Sequence, residues 1–272
     1  MRNQLVIVGC SVALASIALG QISPFTLESK ANTVTVTFNA PRGTPIPAVT
    51  GAPYSANQAT ESVQTLADGT HVTQTRNTSH ITRDSRGKTR TERPILVTRG
   101  ENGWNLTVTE IRDPVEGLYY ILDQQNKVAH RFATPSAPTA PAATLPAIGP
   151  QMQVGTPSPK PVTDGTRPET SNEKLGSQMM EGVMVEGYRS TTTWPVGTQG
   201  NDRPIVSTHE SWISEELKTE VLMKNSDPRF GENTFKLTNI ERTESDPTLF
   251  QVPPDYTIVD EKGSFRMTAT RP

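Results

Sequence analysis

Residues 33–38 read Thr-Val-Thr-Val-Thr-Phe, which puts Val34, Val36 and Phe38 on one side of an extended chain and the threonines on the other. The two-residue period continues downstream. Residues 60–66 and 70–83 flank Ala67-Asp68-Gly69, a hairpin signal. Ser85-Arg86-Gly87-Lys88 makes a second turn before 89–99, and Glu101-Asn102-Gly103 a third before 104–112. Residues 117–122 and 127–132 pair about 123–126. Strands joined by turns this short run antiparallel.

A second strand-rich stretch follows. Residues 178–185 and 188–194 form a hairpin about Glu186-Gly187, and 205–214 pairs with 217–224. In the latter, Leu217, Thr219, Val221 and Met223 alternate with Lys218, Glu220 and Lys224. Residues 235–244, then 248–252 and 256–259 around Pro253-Pro254, complete it. Helix is scarce: one turn is expected at Ser214 to Leu217, with Ser171 to Leu175 and the Asp246-Pro247 corner as weaker candidates. The two stretches are separated by residues 133–172, with nine prolines in forty residues. Proline fixes φ and removes donors, so this is a linker or long loop.

The expected fold is mainly β: a curved antiparallel sheet, a half-open barrel with little helix, or alternatively a two-sheet sandwich. Its parts are 21–132, the linker 133–172, a part at 173–260 that completes the same sheet, and a flexible tail at 261–272.

The first twenty residues stand apart. Arg2 precedes an apolar run from Leu5 to Leu19, about fifteen residues long and short of the roughly twenty a membrane-spanning helix needs. Ala18-Leu19-Gly20 supplies the small-x-small pattern of signal cleavage, placed between Gly20 and Gln21. The expected location is the periplasm or cell surface. Ile7-Val8-Gly9-Cys10 has the form of a lipoprotein box, which leaves lipidation of Cys10 open, but the apolar run continues past it; read as an ordinary residue of that run, the one cysteine leaves with the signal and the mature chain is expected to carry no disulfide.

Apolar residues make up 33% of the chain, too few to fill a thick core along its whole length. The net charge of −2 gives no global case for nucleic acid. Charge is uneven, however. Between Arg76 and Arg99 seven basic residues face two acidic ones; between Glu210 and Asp246 nine acidic face five basic. Arg83, Arg86, Lys88 and Arg90 are therefore candidates for contact with a partner or an anionic lipid.

Catalytic signals are lacking. His71, His80, His130 and His209 have no metal-ligand spacing, and His209-Glu210 lacks a second histidine. There is no G-x-S-x-G elbow, and the glycines occur singly at turns, so no phosphate loop is present. No cofactor, metal or enzyme activity is expected.

Several strings carry a resemblance: Arg83-Asp84-Ser85-Arg86-Gly87-Lys88-Thr89-Arg90; Ile111-Arg112-Asp113-Pro114-Val115; Gly200-Asn201-Asp202-Arg203-Pro204-Ile205; Glu210-Ser211-Trp212; and Leu249-Phe250-Gln251-Val252-Pro253. Together they resemble a family of uncharacterised exported bacterial proteins, which implies no catalytic residues. The order of hairpins, the Trp212 strand and the step from Phe250 to Pro254 are similar to the periplasmic lipoprotein carriers of the LolA/LolB and RseB type. That similarity implies a half-open barrel that binds a lipid or lipoprotein. The carriers' N-terminal and lid helices have no counterpart here, and the Pro-rich insertion has none in them.

Long alternating strands give a sheet one apolar face, which helices, a second sheet or a ligand must cover. With little helix available, that face could hold an acyl chain. Trp104, Tyr120, Trp212, Val221, Met223 and Phe250 are the expected ligand-facing residues. The function expected is a non-enzymatic envelope binding protein, a carrier or sensor of a lipid or lipoprotein, with an envelope protein as a further partner. The alternative is a cell-surface structural or interaction protein that binds protein or polysaccharide.

Overall fold

The computed structural model describes residues 25–30, 33–40, 48–97, 104–134 and 167–270. The expected signal segment with Gly20 and Gln21, the turn at 101–103 and most of the Pro-rich linker lie outside them.

The described residues begin with β1 (Phe25–Lys30) and β2 (Thr33–Phe38). The meander follows as β3 (Tyr54–Thr65), β4 (His71–Arg83), β5 (Thr89–Val97), β6 (Trp104–Asp113), β7 (Leu118–Asp123) and β8 (Val128–Ala133). Beyond the linker come β9 (Glu169–Met180), β10 (Val183–Trp194), β11 (Ile205–Ser214), β12 (Thr219–Asp227) and β13 (Gly231–Glu241). A 3-10 turn, Pro247–Phe250, precedes β14 (Thr257–Asp260) and β15 (Phe265–Thr270).

Twelve strands make one curved, unclosed sheet of half-open-barrel form, in the order β14-β8-β7-β6-β5-β4-β3-β13-β12-β11-β10-β9. The stretches either side of the linker are joined by the antiparallel pairing of β3 with β13. All neighbours are antiparallel except β14, which runs parallel to β8. β1, β2 and β15 form a separate three-stranded sheet.

The small sheet explains the three buried side chains on each of β2 and β15. Val34, Val36 and Phe38 of β2, with Phe265, Met267 and Ala269 of β15, pack on Ile95, Leu106, Val108, Tyr119, Ile121 and Phe132 of the main sheet. The Phe38 and Phe265 rings stack at 5.2 Å, and His130 stacks on Phe265 at 3.9 Å. A second cluster unites Tyr54, Ala56, Ile81, Val183, Val185, Leu217, Val221 and Leu237. β10 is four places from β3 in the sheet order, so this cluster forms only because the sheet curls on itself. A third cluster, Ile111, Leu122 and Ala129, lies on the opposite face, under Tyr120, Val252 and Tyr256.

β4 and β5 pair only where His80–Arg83 meet Thr89–Glu92. Beyond that point β5 keeps β6 as its described neighbour through Arg93–Val97. Pro94, which has no N–H to donate, sits two residues past the last pair. The sheet therefore splays there, with one limb under the small sheet and the other curling away.

Three expectations change and a fourth is met. The segment 261–272 is not all tail: Phe265, Met267 and Ala269 alternate with exposed residues, and burying them builds β15. The turn expected as helix at Ser214 to Leu217 is a tight strand connection, because β11 and β12 are direct neighbours with four residues between them. Ser214 Oγ accepts the Leu217 N–H, and Lys218 takes a positive φ of 49° to reverse the chain. Ser171 to Leu175 is not helical either: it lies inside β9 and pairs with β10, so the linker ends before Glu169. The Asp246-Pro247 corner does form a 3-10 turn, capped by the Asp246 carboxylate on the Thr248 N–H.

Candidate functional site: the front face of the sheet

Directly opposed residues on antiparallel strands share a face, so the registers trace rows across the sheet. From β8 to β3 one row reads Phe132, Tyr119, Arg112, Thr89, Arg83, Tyr54. The next reads His130, Ile121, Glu110, Thr91, Ile81, Ala56. Both apolar clusters thus lie on one face, the front, and charged residues lie between them.

Those charges are closed within the fold. Arg93 and Glu110 are 5% and 6% exposed and form an ion pair beneath the small sheet. Removal of either partner would strand a buried charge. Arg83, 6% exposed, donates from Nε to the Ala52 carbonyl at 2.9 Å and from Nη2 to the Leu217 carbonyl, with its guanidinium 4.6 Å from the Tyr54 ring centre. It ties the segment before β3 to the β11–β12 turn. The guanidinium of Arg112 stands 4.4 Å from the Tyr119 ring centre.

The far limb differs in chemistry. Thr60, Phe235, Met223, Ser211 and Tyr188 form one row; Phe235 packs against the second apolar cluster, which marks the front on β13, while on β10 and β11 it is Gly187 and Trp212, next to Tyr188 and Ser211, that turn to that cluster. Two residues further out along the strands, the row becomes Gln74, Ser62, Asn233, Asn225, His209, Ser190, Asn172. It crosses seven strands with amide, hydroxyl and imidazole groups, and His209 Nδ1 is 2.7 Å from Asn225 Oδ1. The back of the same limb is charged: Arg189 pairs with Glu173 at 2.7 Å and Glu210 at 2.6 Å, and Lys224 pairs with Glu232 at 2.9 Å.

Ser211 donates its hydroxyl to Glu220, which is 5% exposed. Burial pushes the Glu220 carboxyl above its ordinary range, against the opposing pull of the Ser211 hydrogen bond and of His209. A small cleft of about 150 Å³ lies at the β9–β10–β11 end, lined by Ser177, Met184, Glu186, Ile213, Glu215 and Glu216. That is below the ~300 Å³ at which ligand pockets begin. Among the described residues, no group of three or more His, Cys, Asp or Glu is placed to hold a metal ion.

The structure distributes the sequence-derived residues over both faces. Val221 is buried in the second cluster and Trp212 packs against it; Met223 sits opposite Phe235. Tyr120 and buried Phe250 belong to the back, where Tyr120 covers the third cluster. Trp104 heads β6, and its side chain is outside the described set. Of the basic residues, Arg83 is the buried clamp, and Lys88 forms an ion pair with Asp113. Arg90 binds Glu92 and the Leu249 carbonyl. Arg86 pairs with Asp84 while its side chain stays 63% exposed. Sequence reasoning missed the amide row, although its signal was present: Asn225 and Asn233 sit at equal distances from Arg229, as hairpin partners do.

No protein-family model matches the chain, and no curated protein matches it. Among solved structures the chain is similar to the crystal structure of LprF from Mycobacterium bovis, at 12% identity and a TM-score of 0.29, over 76% of this chain and 91% of that one.

Proposed function

We propose that this is an exported, non-enzymatic binding protein of the cell envelope, and that its ligand is an apolar chain, a lipid or lipid-bearing polypeptide, taken up between the main sheet and the small one. The seam between them supports this reading. Both sides are apolar, and the two layers belong to separate sheets with no strand ladder between them. The described polar ties across the seam are made by side chains: Gln125 binds the Thr270 backbone on both sides, and Asn126 reaches the Thr268 carbonyl. Such a layer can lift without breaking a ladder, and the face it uncovers is apolar, as an acyl chain requires. The Leu5–Leu19 run supports export. The use of the Ser211 hydroxyl and the front-face ion pairs within the fold supports a binding role over catalysis. Protein purified from its native envelope is to be extracted and analysed by mass spectrometry. Stoichiometric acyl lipid is expected; a native mass equal to the bare chain, with no uptake of a fluorescent fatty acid, overturns the reading.

The uncharged row on the far limb favours a second reading. Side-by-side amides and hydroxyls on a half-exposed front face, with Phe235 and Tyr188 alongside, suit an extended polar polymer such as a polysaccharide. Glycan binding that Asn225→Ala abolishes would select this reading, and binding unaffected by that change would exclude the row.

A further inference from the structure

We infer that three hairpin ends at one edge of the main sheet form a docking surface for a lipid bilayer. The registers place these ends together: Thr65 opposes His71, Glu232 opposes Val63, Asp227 opposes Gly231, Thr208 opposes Ser226, and Trp194 opposes Ile205. The β3–β4, β12–β13 and β10–β11 connections therefore leave the sheet on the same side.

These ends carry a concentration of exposed apolar side chains. Leu66 and Val72 are 43% and 38% exposed, Val196 and Val206 57% and 46%, and Phe230 70%. Exposed large apolar groups collected at one place mark an interaction site.

Phe230 is held in position although exposed. Asp227 accepts the Arg229 N–H at 2.8 Å through its carboxylate and the Phe230 N–H at 3.0 Å through its carbonyl. The Arg229 guanidinium, paired with Asp227 at 2.7 Å, stands 5.2 Å from the Phe230 ring centre and 5.8 Å from that of Trp194. Gly231, at φ 85°, presses its backbone so closely on Val63 that a side chain there would collide with the Val63 carbonyl.

The occupant is identified by hydrogen bonding. A group that enters the oily side of a bilayer must bring its backbone polar atoms already paired. The tips do so. Leu66 N–H binds the Thr70 carbonyl, Gly69 N–H the Leu66 carbonyl, and Thr70 N–H the Asp68 carboxylate. In the long β10–β11 loop, Gly197 N–H binds the Asn201 carbonyl and Gln199 N–H the Asn201 side chain. The Asn201 amide binds the Pro195 and Arg203 carbonyls. Protein partners reward free donors and a continuous flat patch. Separate protruding tips with these donors paired, ringed by Thr65, Thr198 and Gln199 and by exposed Asp68, Asp202 and Arg203, fit a soft interface whose headgroup zone takes the polar ring while the apolar tips enter. Asp227 and Arg229 cancel at the Phe230 tip, Asp202 and Arg203 cancel in the β10–β11 loop, and Asp68 of the β3–β4 turn adds one negative charge, so a neutral bilayer is the surface this edge fits.

This docking does not depend on what the front face holds. The test is co-sedimentation of the full chain with neutral phosphatidylcholine vesicles. Phe230→Asp and Val196→Asp are measured beside it, and each variant's far-UV circular dichroism and melting temperature verify its fold. Burial of one large apolar side chain corresponds to about a tenfold or greater change in partition. Each variant is expected to lose that factor while remaining folded, and Trp194 fluorescence in the parent chain is expected to shift to the blue on vesicle addition. Three results would overturn the inference: no partition of the parent chain, partition that both variants retain, or a tip-dependent complex with a protein and none with vesicles. Failure here leaves the acyl-chain reading standing, because lipid extraction tests that reading separately.

Discussion

Gly187 offers the sharpest test of how the curled limb is packed. It lies opposite Trp212, and a β-carbon placed on it would come within 2.5, 2.6 and 2.7 Å of the Cζ3, Cη2 and Cε3 atoms of the indole. Carbon atoms settle about 3.5–4.0 Å apart, so Gly187→Ala forces the ring back by about 1 Å. The ring cannot retreat freely, because it packs against the cluster that includes Val183 and Val185. Overpacking costs about 1–3 kcal/mol, and three contacts on a rigid ring argue for the upper part, ~2–3 kcal/mol. Trp212→Leu removes the obstacle. In that background Gly187→Ala should be neutral or mildly stabilising, since glycine within a strand is itself unfavourable by roughly 0.5–1 kcal/mol. The double-mutant cycle should therefore give a coupling of about 2–3 kcal/mol. Urea unfolding followed by far-UV circular dichroism reads all four proteins without reliance on the altered tryptophan. If Gly187→Ala costs the same in both backgrounds, the indole does not lie over Gly187 and the packing described for this limb is mistaken.

Three further outcomes follow from single side chains. Glu220→Gln should raise the melting temperature at neutral pH: burial holds the carboxyl above its ordinary value of 4.5, so the native state disfavours the ionised form. Stability from such a group is fully present below the unfolded pKa and is lost as pH rises through the folded one. The gain from glutamine should thus vanish in melting curves recorded below about pH 4, and a variant less stable than the parent at pH 7 would refute the sign. Arg83→Met should cost about 3 kcal/mol in urea unfolding, because it deprives two buried carbonyls of their donor and Tyr54 of its cation. Phe265→Ala should cost about 3–5 kcal/mol, with hydrogen-exchange protection lost in β2 and β15 and retained in β12 and β13; uniform loss across the sheet would mean the small sheet is not a separable layer.

The parts of the fold legible in the sequence were those fixed by near neighbours. The Thr-Val-Thr-Val-Thr-Phe alternation, the Asp68-Gly69 hairpin and the β10–β11–β12 succession all follow from contacts a few residues apart. What escaped depends on distant partners. β15 reads Phe-Arg-Met-Thr-Ala-Thr, a short alternation that means little until β2, more than two hundred residues earlier, supplies the strand beside it. The parallel addition of β14 to β8 has no turn signal, because its connection passes through the linker and five other strands. The candidate face suffered from the same limit. Alternation identifies two sides of each strand but does not say which side of one strand continues which side of the next. Alternation alone therefore groups Tyr120 and Phe250 with Val221, although they lie on opposite faces.

Irregularities in register decide how the far limb acquires its two surfaces. Register shifts occur at Gly187/Tyr188, at Trp212/Ile213 and at Gln58/Thr60, a line that crosses the sheet beside the second apolar cluster. Each extra residue bends its strand and increases the local twist. On the near side of that line the front is apolar and closed by its own curl; on the far side the same face carries the amide row and stays half-exposed. A continuous period-two pattern through the line would have carried apolar residues out to the strand ends, where nothing covers them. The shift allows twelve-residue strands to serve a core at one end and an open polar surface at the other, while the charged ladder of Glu173, Arg189 and Glu210 keeps the back wet and discourages a second layer there. The consequence is directional: insertions or deletions at Gly187 or Trp212 should disturb the amide row and the curl together, whereas equal changes near Thr170 or Ser207, past the line, should leave the core intact.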